Sequence, residues 1–351
     1  MFYNKYMWEQ IFKGYMVRDC TLGFEHGRIG FYLVPDDDRE HLDYGWYTRF
    51  VAVKLSNPIE KRFYVRGGDN LDLARLSAAW EPNQTEFLLV DVGRSLWSYK
   101  PNAYKGSEPE IPFDGKGYGY AAAGEVGCSI SRVTRVEGTV FAVGGPTRIF
   151  QRMPNQQWYE HKGIPLPAGL SSKDDDVITE TLGNSNFFDL AGFSLKDMYV
   201  VGDAGQIWHF NGNIWKSLAF PSNLTLQTVT CGGDGQVYIT DIRGSLWQGR
   251  GERWKLLHKG NTSIPYADSA WFKNRFWCAN DYGMMVLEDG KLVAAHQAKQ
   301  DPIPTEIALH AHRIDVSPDG KQMLVCGGSG AALHNGERWE LLFSGYEFED
   351  E

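Results

Sequence analysis

This chain of 351 residues has little of the standard vocabulary of catalysis. It contains no Gly-x-x-x-x-Gly-Lys loop, which would cradle nucleotide phosphates, and no His-Glu-x-x-His pair for zinc. No Gly-x-Ser-x-Gly elbow presents a nucleophile; Gly327-Gly-Ser-Gly330 falls where a hairpin turns. Cysteine is scarce. The five, at positions 20, 128, 231, 278 and 326, are odd in number and include no Cys-x-x-Cys, so they read as small buried hydrophobes rather than a disulfide framework. Basic charge is also short: 35 Lys and Arg against 44 Asp and Glu leave a net charge of −9. A protein that tracks phosphates needs a basic surface, so nucleic acid is not expected as a partner, whereas an acidic surface steers a basic protein toward itself. The first ten residues lack the apolar core and cleavage site of a signal peptide, and no apolar run is long enough to span a bilayer. The expected location is the cytoplasm, with no membrane partner.

What is abundant is glycine, 39 residues, and tryptophan, 12. Both belong to a repeated unit of short strands. Its clearest copy is Met198-Tyr-Val-Val-Gly-Asp-Ala-Gly-Gln-Ile-Trp-His-Phe-Asn-Gly-Asn-Ile-Trp215. Further copies centre on Val237–Trp254, Phe276–Gly290 and Met323–Trp339. Gly205, Gly244 and Gly283 are spaced by 39 residues, and Gly330 follows 47 later. Each unit divides into four strands: an apolar first, a strongly hydrophobic second, a third after an acid-and-glycine turn, and an outer strand opening with Trp215, Trp254 or Trp339. Turns such as Asp289-Gly290, Asn211-Gly212 and Asn335-Gly336 suit type I′ hairpins, whose two central residues take positive φ. Toward the N-terminus the pattern weakens through Val140–Phe150, Glu86–Trp97 and Cys20–Tyr32.

Periods near 40 residues with several strands per unit are the mark of a β-propeller. The expectation is an all-β fold of seven four-stranded blades, with six or eight as alternatives, in one domain over 1–351. Residues 1–84 form irregular first blades, 85–343 carry the clear repeats and 344–351 an acidic tail. Trp8-Glu-Gln-Ile-Phe12 echoes the outer-strand phrase Trp339-Glu-Leu-Leu-Phe343 and predicts an N-terminal strand that clasps the last blade.

The phrase Tyr199–His209 with Trp215 resembles repeats of the photosystem II assembly-factor type and, more loosely, sialidase-type propellers. Val316-Ser-Pro-Asp-Gly-Lys321 is similar to a phrase common in WD-repeat and lactonase-like propellers. The likeness implies fold and no particular function. The Ser-x-Asp-x-Gly-x-Thr-Trp boxes of sialidases are absent, so their arginine triad carries over to no residue here, and no Trp-Asp dipeptide ends a strand.

Candidate chemistry is sparse. Asp91, Asp203, Asp241 and Asp281 recur at second turns, where a carboxylate accepting backbone N–H groups is a better account than a shared cation. His310-Ala-His312 has the alternation that puts two rings on one strand face, without an evident third ligand. Neither a metal nor another cofactor is expected. Departures from the period, at 34–45, 101–120 and 167–186, are where binding loops on a rigid scaffold are looked for. They supply the candidate partner-binding residues: Asp36, Asp37 and Asp38; Tyr118 and Tyr120; Asp174, Asp175 and Asp176; with Tyr282 at an exposed turn. The leading expectation is a non-enzymatic protein-binding scaffold for a basic protein, of the bacterial immunity-protein or assembly-factor kind. The alternative is a propeller hydrolase or lyase acting on a carbohydrate at the channel mouth, which requires ionisable side chains to converge there.

Overall fold

The computed structural model describes residues 2–36, 48–67, 71, 73–80, 85–113 and 128–348. Its strands form seven antiparallel sheets of four, each sheet in chain order. The blades span 15–67, 75–108, 129–160, 187–218, 226–258, 268–294 and 313–344. First strands of successive blades touch one another around a closed ring, the last meeting the first. The seven-blade, all-β propeller expected from the repeat is the fold observed.

The second strands are buried along nearly their whole length, as the runs Glu86–Val90, Thr139–Gly145 and Met323–Gly327 illustrate. A strand covered on both faces should read as continuous hydrophobe. The apolar core is not one mass. It is divided into seven clusters, one in each gap between neighbouring blades. The tight turns follow their residues, with one refinement. Asp289 and Gly290 both take positive φ, 49° and 76°, as a type I′ turn requires. At Asn211-Gly212 and Asn335-Gly336 only the glycine does. There the Asn carboxamide oxygen instead accepts the N–H groups two and three residues on, at 2.9–3.1 Å.

Ring closure corrects the expected strand clasp. Residues Lys5–Ile11 form a helix, and both outermost sheets are completed within their own stretch of chain. Asn4 caps the helix by accepting the Met7 N–H at 2.9 Å, and Arg49 donates to the Ile11 carbonyl at its other end, at 2.8 Å. The buried positions Trp8, Ile11 and Phe12 follow the i, i+3, i+4 spacing of one helical face. Phe12 lies 4.5 Å from Phe343, ring centre to ring centre, and Phe2 stacks on Phe343 at 5.6 Å. The N-terminus closes the ring by filling the gap between the first and last blades. Phe348 packs on Tyr3 and Trp8, so the C-terminal tail is anchored at least that far.

Of the three departures from the period, two are not simple links between blades. Residues 34–45 fall inside the first blade, between Arg28–Pro35 and Arg49–Lys54. Of 101–120, the stretch Tyr104–Glu108 is the outer strand of the second blade. The stretch 167–186 lies wholly between two blades, and it contains the helix Asp175–Gly183, which packs Ile178 against Leu170.

Candidate functional site: the central channel

In an up-and-down ring, the inter-blade connections and the second turns share one rim. The first and third turns occupy the other. We term these the linker rim and the hairpin rim. First strands run from the linker rim to the hairpin rim and line the channel between them.

Three of these strands carry a bulge near the linker rim, and the residue after it is Asp19, Asp189 or Thr228; a fourth bulge precedes Arg132. The equivalent positions in the remaining blades, judged by their second-strand partners, are Arg75, Asp268 and Arg313. Around the ring this one position therefore reads Asp, Arg, Arg, Asp, Thr, Asp, Arg. Three of these carboxylates do the same job. Asp19 accepts the N–H of Cys20 beside it and that of Leu76 in the next blade, both at 2.9 Å. Asp189 does so for Leu190 and Val229, and Asp268 for Ser269 and Ile314. Each acid ties one inner strand to the next by accepting a backbone N–H from both.

Two arginines of the third blade's strand Ser129–Val136 cross the channel. Arg132, largely covered, reaches Asp268 in the sixth blade, and its Nε lies 3.4 Å from Asp189 in the fourth. Burial pushes the Asp189 carboxyl up to about 6, against the opposing pull of Arg132. Three residues on, Arg135 donates to both oxygens of Asp315 in the seventh blade, at 2.8 and 2.9 Å. It also donates to the carbonyls of Ala78 at 3.0 Å, Leu22 at 3.3 Å and Val316 at 3.0 Å. Asp315 in turn accepts the Thr21 hydroxyl and the Leu22 N–H. That tier, nearer the hairpin rim, is fully paired, and it links four blades through one guanidinium.

The tier nearer the linker rim is not. Arg18, Arg75 and Arg313 line a cavity of about 280 Å³ there, together with Arg132, His312 and Asp281. Arg75 donates only to backbone carbonyls, among them Ser131 at 3.1 Å. Arg313 donates through one nitrogen to the Ala267 carbonyl at 2.8 Å, while its buried Nε has no hydrogen-bond partner among the described residues. Burial and the neighbouring charges of Arg313, Arg132 and Arg18 hold Arg75 down at about 10.

The residues singled out from the sequence fall mostly on the linker rim. Asp36 is exposed at the end of its strand, its N–H bonded to the Gly14 carbonyl, and lines a cavity of about 380 Å³ with Asp281 and His312. Tyr282 is exposed, with 72% of its surface open. Asp174 caps the helix Asp175–Gly183 by accepting the Asp176 N–H at 3.0 Å, and Asp175 and Asp176 sit in its first turn, complementing the dipole. These groups lie in different sectors of the rim, so Asp36 and Tyr282 are not brought together with the Asp174–Asp176 helix. Asp37, Asp38, Tyr118 and Tyr120 lie outside the described residues. The turn role holds for Asp91 and Asp241, which accept the N–H groups of Ser95 and Ser245. Asp203 reaches across to the Asn186 N–H. At the turn that holds Asp281, Asn280 does the capping, for Tyr282, and the Asp281 carboxylate lies 2.7 Å from His312 Nδ1, which makes no hydrogen bond among the described residues. His310 and His312 do not share a ligand: His310 lies against Ser329. Among the described residues no cluster of His, Cys, Asp or Glu could hold a metal ion, no helix is long and apolar enough to cross a membrane, and all five cysteines are free.

The channel residues escaped the sequence reading, although a signal was present. An ionisable residue stands at one equivalent position of the first strand in six blades of seven, a place where the repeat otherwise demands hydrophobes.

No protein-family model matches the chain. Over 170 residues, 48% of its length, it is 25% identical to the immune protein Tsi7 of Pseudomonas aeruginosa. The match takes in 52% of that protein, so the chain spans about half the length of this curated relative. Among solved structures it is similar to the virginiamycin B lyase of Staphylococcus aureus bound to quinupristin, at a TM-score of 0.59 and 9% identity, over 90% of this chain and 93% of the other. It is also similar to YCF48 bound to a D1 peptide, at a TM-score of 0.44 and 13% identity, over 73% of this chain and 77% of the other. At 9% identity the likeness to the lyase is one of fold.

Proposed function

We propose that this chain is a non-enzymatic binding propeller of the immune-protein kind, which holds a protein partner on its linker rim in the cytoplasm. The 25% identity to an immune protein carries the reading. An assembly-factor role makes the same use of the fold. The exposed acids Asp36 and Asp174–Asp176, with Tyr282, favour a basic partner, through steering by the acids and contact area from the aromatic ring.

Ionisable side chains do converge on the channel, the condition set for the hydrolase or lyase alternative. Against that alternative, the four channel carboxylates Asp19, Asp189, Asp268 and Asp315 are each engaged by backbone N–H groups, and three of them also by a guanidinium. A general acid or base must be available to a substrate. These serve as struts.

The test is purification of the tagged chain from its native cells, beside a variant carrying Tyr282→Ala and Asp174, Asp175 and Asp176→Ala. The expected result is a stoichiometric basic protein, lost from the variant and released by salt. A wild-type chain that emerges alone, or one whose companion is indifferent to the substitutions, contradicts the reading.

A further inference from the structure

We propose that the linker-rim mouth of the channel is an oxyanion site, in which the guanidiniums of Arg18, Arg75 and Arg313 receive a phosphate or carboxylate group. The proposal stands apart from the protein-binding reading and holds whether or not a partner docks on the rim.

Three observations carry it. The first is charge. Four guanidiniums line this cavity against two carboxylates, those of Asp189 and Asp281. Asp189 is already engaged by Arg132 and two backbone N–H groups, and Asp281, its side chain 65% exposed, is turned to solvent beside His312. Arg18, Arg75 and Arg313 have no carboxylate within ion-pair distance among the described residues. Burying a charge without a partner is costly, and Arg313 is only 7% exposed. The second is geometry. The Nε of Arg313 is buried and unbonded while the other end of the same guanidinium is anchored on Ala267, so the fork is held in place with donor capacity to spare. Forked donors of this kind match the paired oxygens of a carboxylate or phosphate. The third is the depression of Arg75, caused first by burial and then by repulsion from Arg313, Arg132 and Arg18, a repulsion that an anion among them would relieve. A cavity of about 280 Å³ is ample for one such group.

The contrast with the same channel three residues deeper argues that this excess is local. There Arg135 meets Asp315 and three carbonyls and has no need of a ligand.

The test is calorimetric titration of the purified chain with sodium phosphate and, separately, sodium acetate, each against sodium chloride at matched ionic strength. The proposal expects saturable one-to-one binding of at least one of the two. A response to phosphate alone identifies a free or esterified phosphate as the ligand; a response to acetate alone identifies a carboxylate. Arg18→Gln is expected to weaken binding at least tenfold, as is Arg313→Gln. Arg18 has no hydrogen bond or ion pair of its own among the described residues, so its variant retains the fold, checked by circular dichroism, even where Arg313→Gln does not. Arg253→Gln, an exposed change of equal charge on an outer strand, is expected to bind as wild type. Neither anion binding beyond chloride, or binding that survives Arg18→Gln unchanged, overturns the proposal.

Discussion

Arg135 and Arg132 leave the same strand of the third blade three residues apart, yet they enter opposite kinds of surroundings. Around Arg135 every charge has an answering charge, and carbonyls from the first, second and seventh blades fill the remaining donor positions. Around Arg132 the ring position holds as many arginines as aspartates, but the aspartates are spent on tying strands together. Arg75, Arg313 and the adjacent Arg18 are left without acids. A propeller channel is therefore not uniform in purpose. One tier braces the ring; the other keeps unspent charge facing a cavity.

The largest expected effect is at the braced tier. Arg135→Gln leaves the half-buried Asp315 without its cation and removes cross-links among four blades. A loss of about 3–5 kcal/mol in urea unfolding is expected, the range for breaking a buried pair from one side. A loss below about 1 kcal/mol would mean that the tier does not brace. Asp268→Asn comes next: it keeps oxygen for the Ile314 N–H but strips Arg132 of its closest acid, and about 2 kcal/mol is expected by the same measurement. At the open tier the sign changes. Arg75→Gln removes a charge that its neighbours oppose, so stability should hold within about 0.5 kcal/mol or rise; a loss as large as that of Arg135→Gln would erase the distinction.

A further test of the open tier is a titration. The Asp189 carboxyl, raised by burial to about 6, lies above its unfolded-state value, so the folded chain takes up this proton first. Its contribution to stability is unfavourable above pH 6, improves as the pH falls through 6, and is complete below about 4. Carbon-detected NMR of the carboxyl should find the midpoint near 6, absent in Asp189→Asn. A midpoint near 4 would place the open tier on the same footing as an exposed site.

The repeat made the scaffold readable. Asp-Gly and Asn-Gly turns, apolar second strands and outer-strand tryptophans each have a local physical cause, and their period counts the blades. Two things were harder to see. Trp8–Phe12 and Trp339–Phe343 share a phrase, but one is helix and the other strand. The phrase cannot decide between them; the Asn4 cap upstream does, and the 8, 11, 12 spacing of hydrophobes was its visible trace. The channel charges were hidden for a different reason. Asp19, Arg132 and Asp268 find their partners in other blades, up to 136 residues away along the chain, so no local pattern joins them. The surface acid runs are more conspicuous in the sequence, yet Asp174–Asp176 is largely explained by the start of a helix.

A pair of double-mutant cycles tests the two-tier account most directly. In urea unfolding, Arg135→Gln with Asp315→Asn is expected to show a coupling energy of about 1.5 kcal/mol or more, while Arg75→Gln with Asp19→Asn couples by less than about 0.5 kcal/mol. Equal coupling in the two tiers would contradict it.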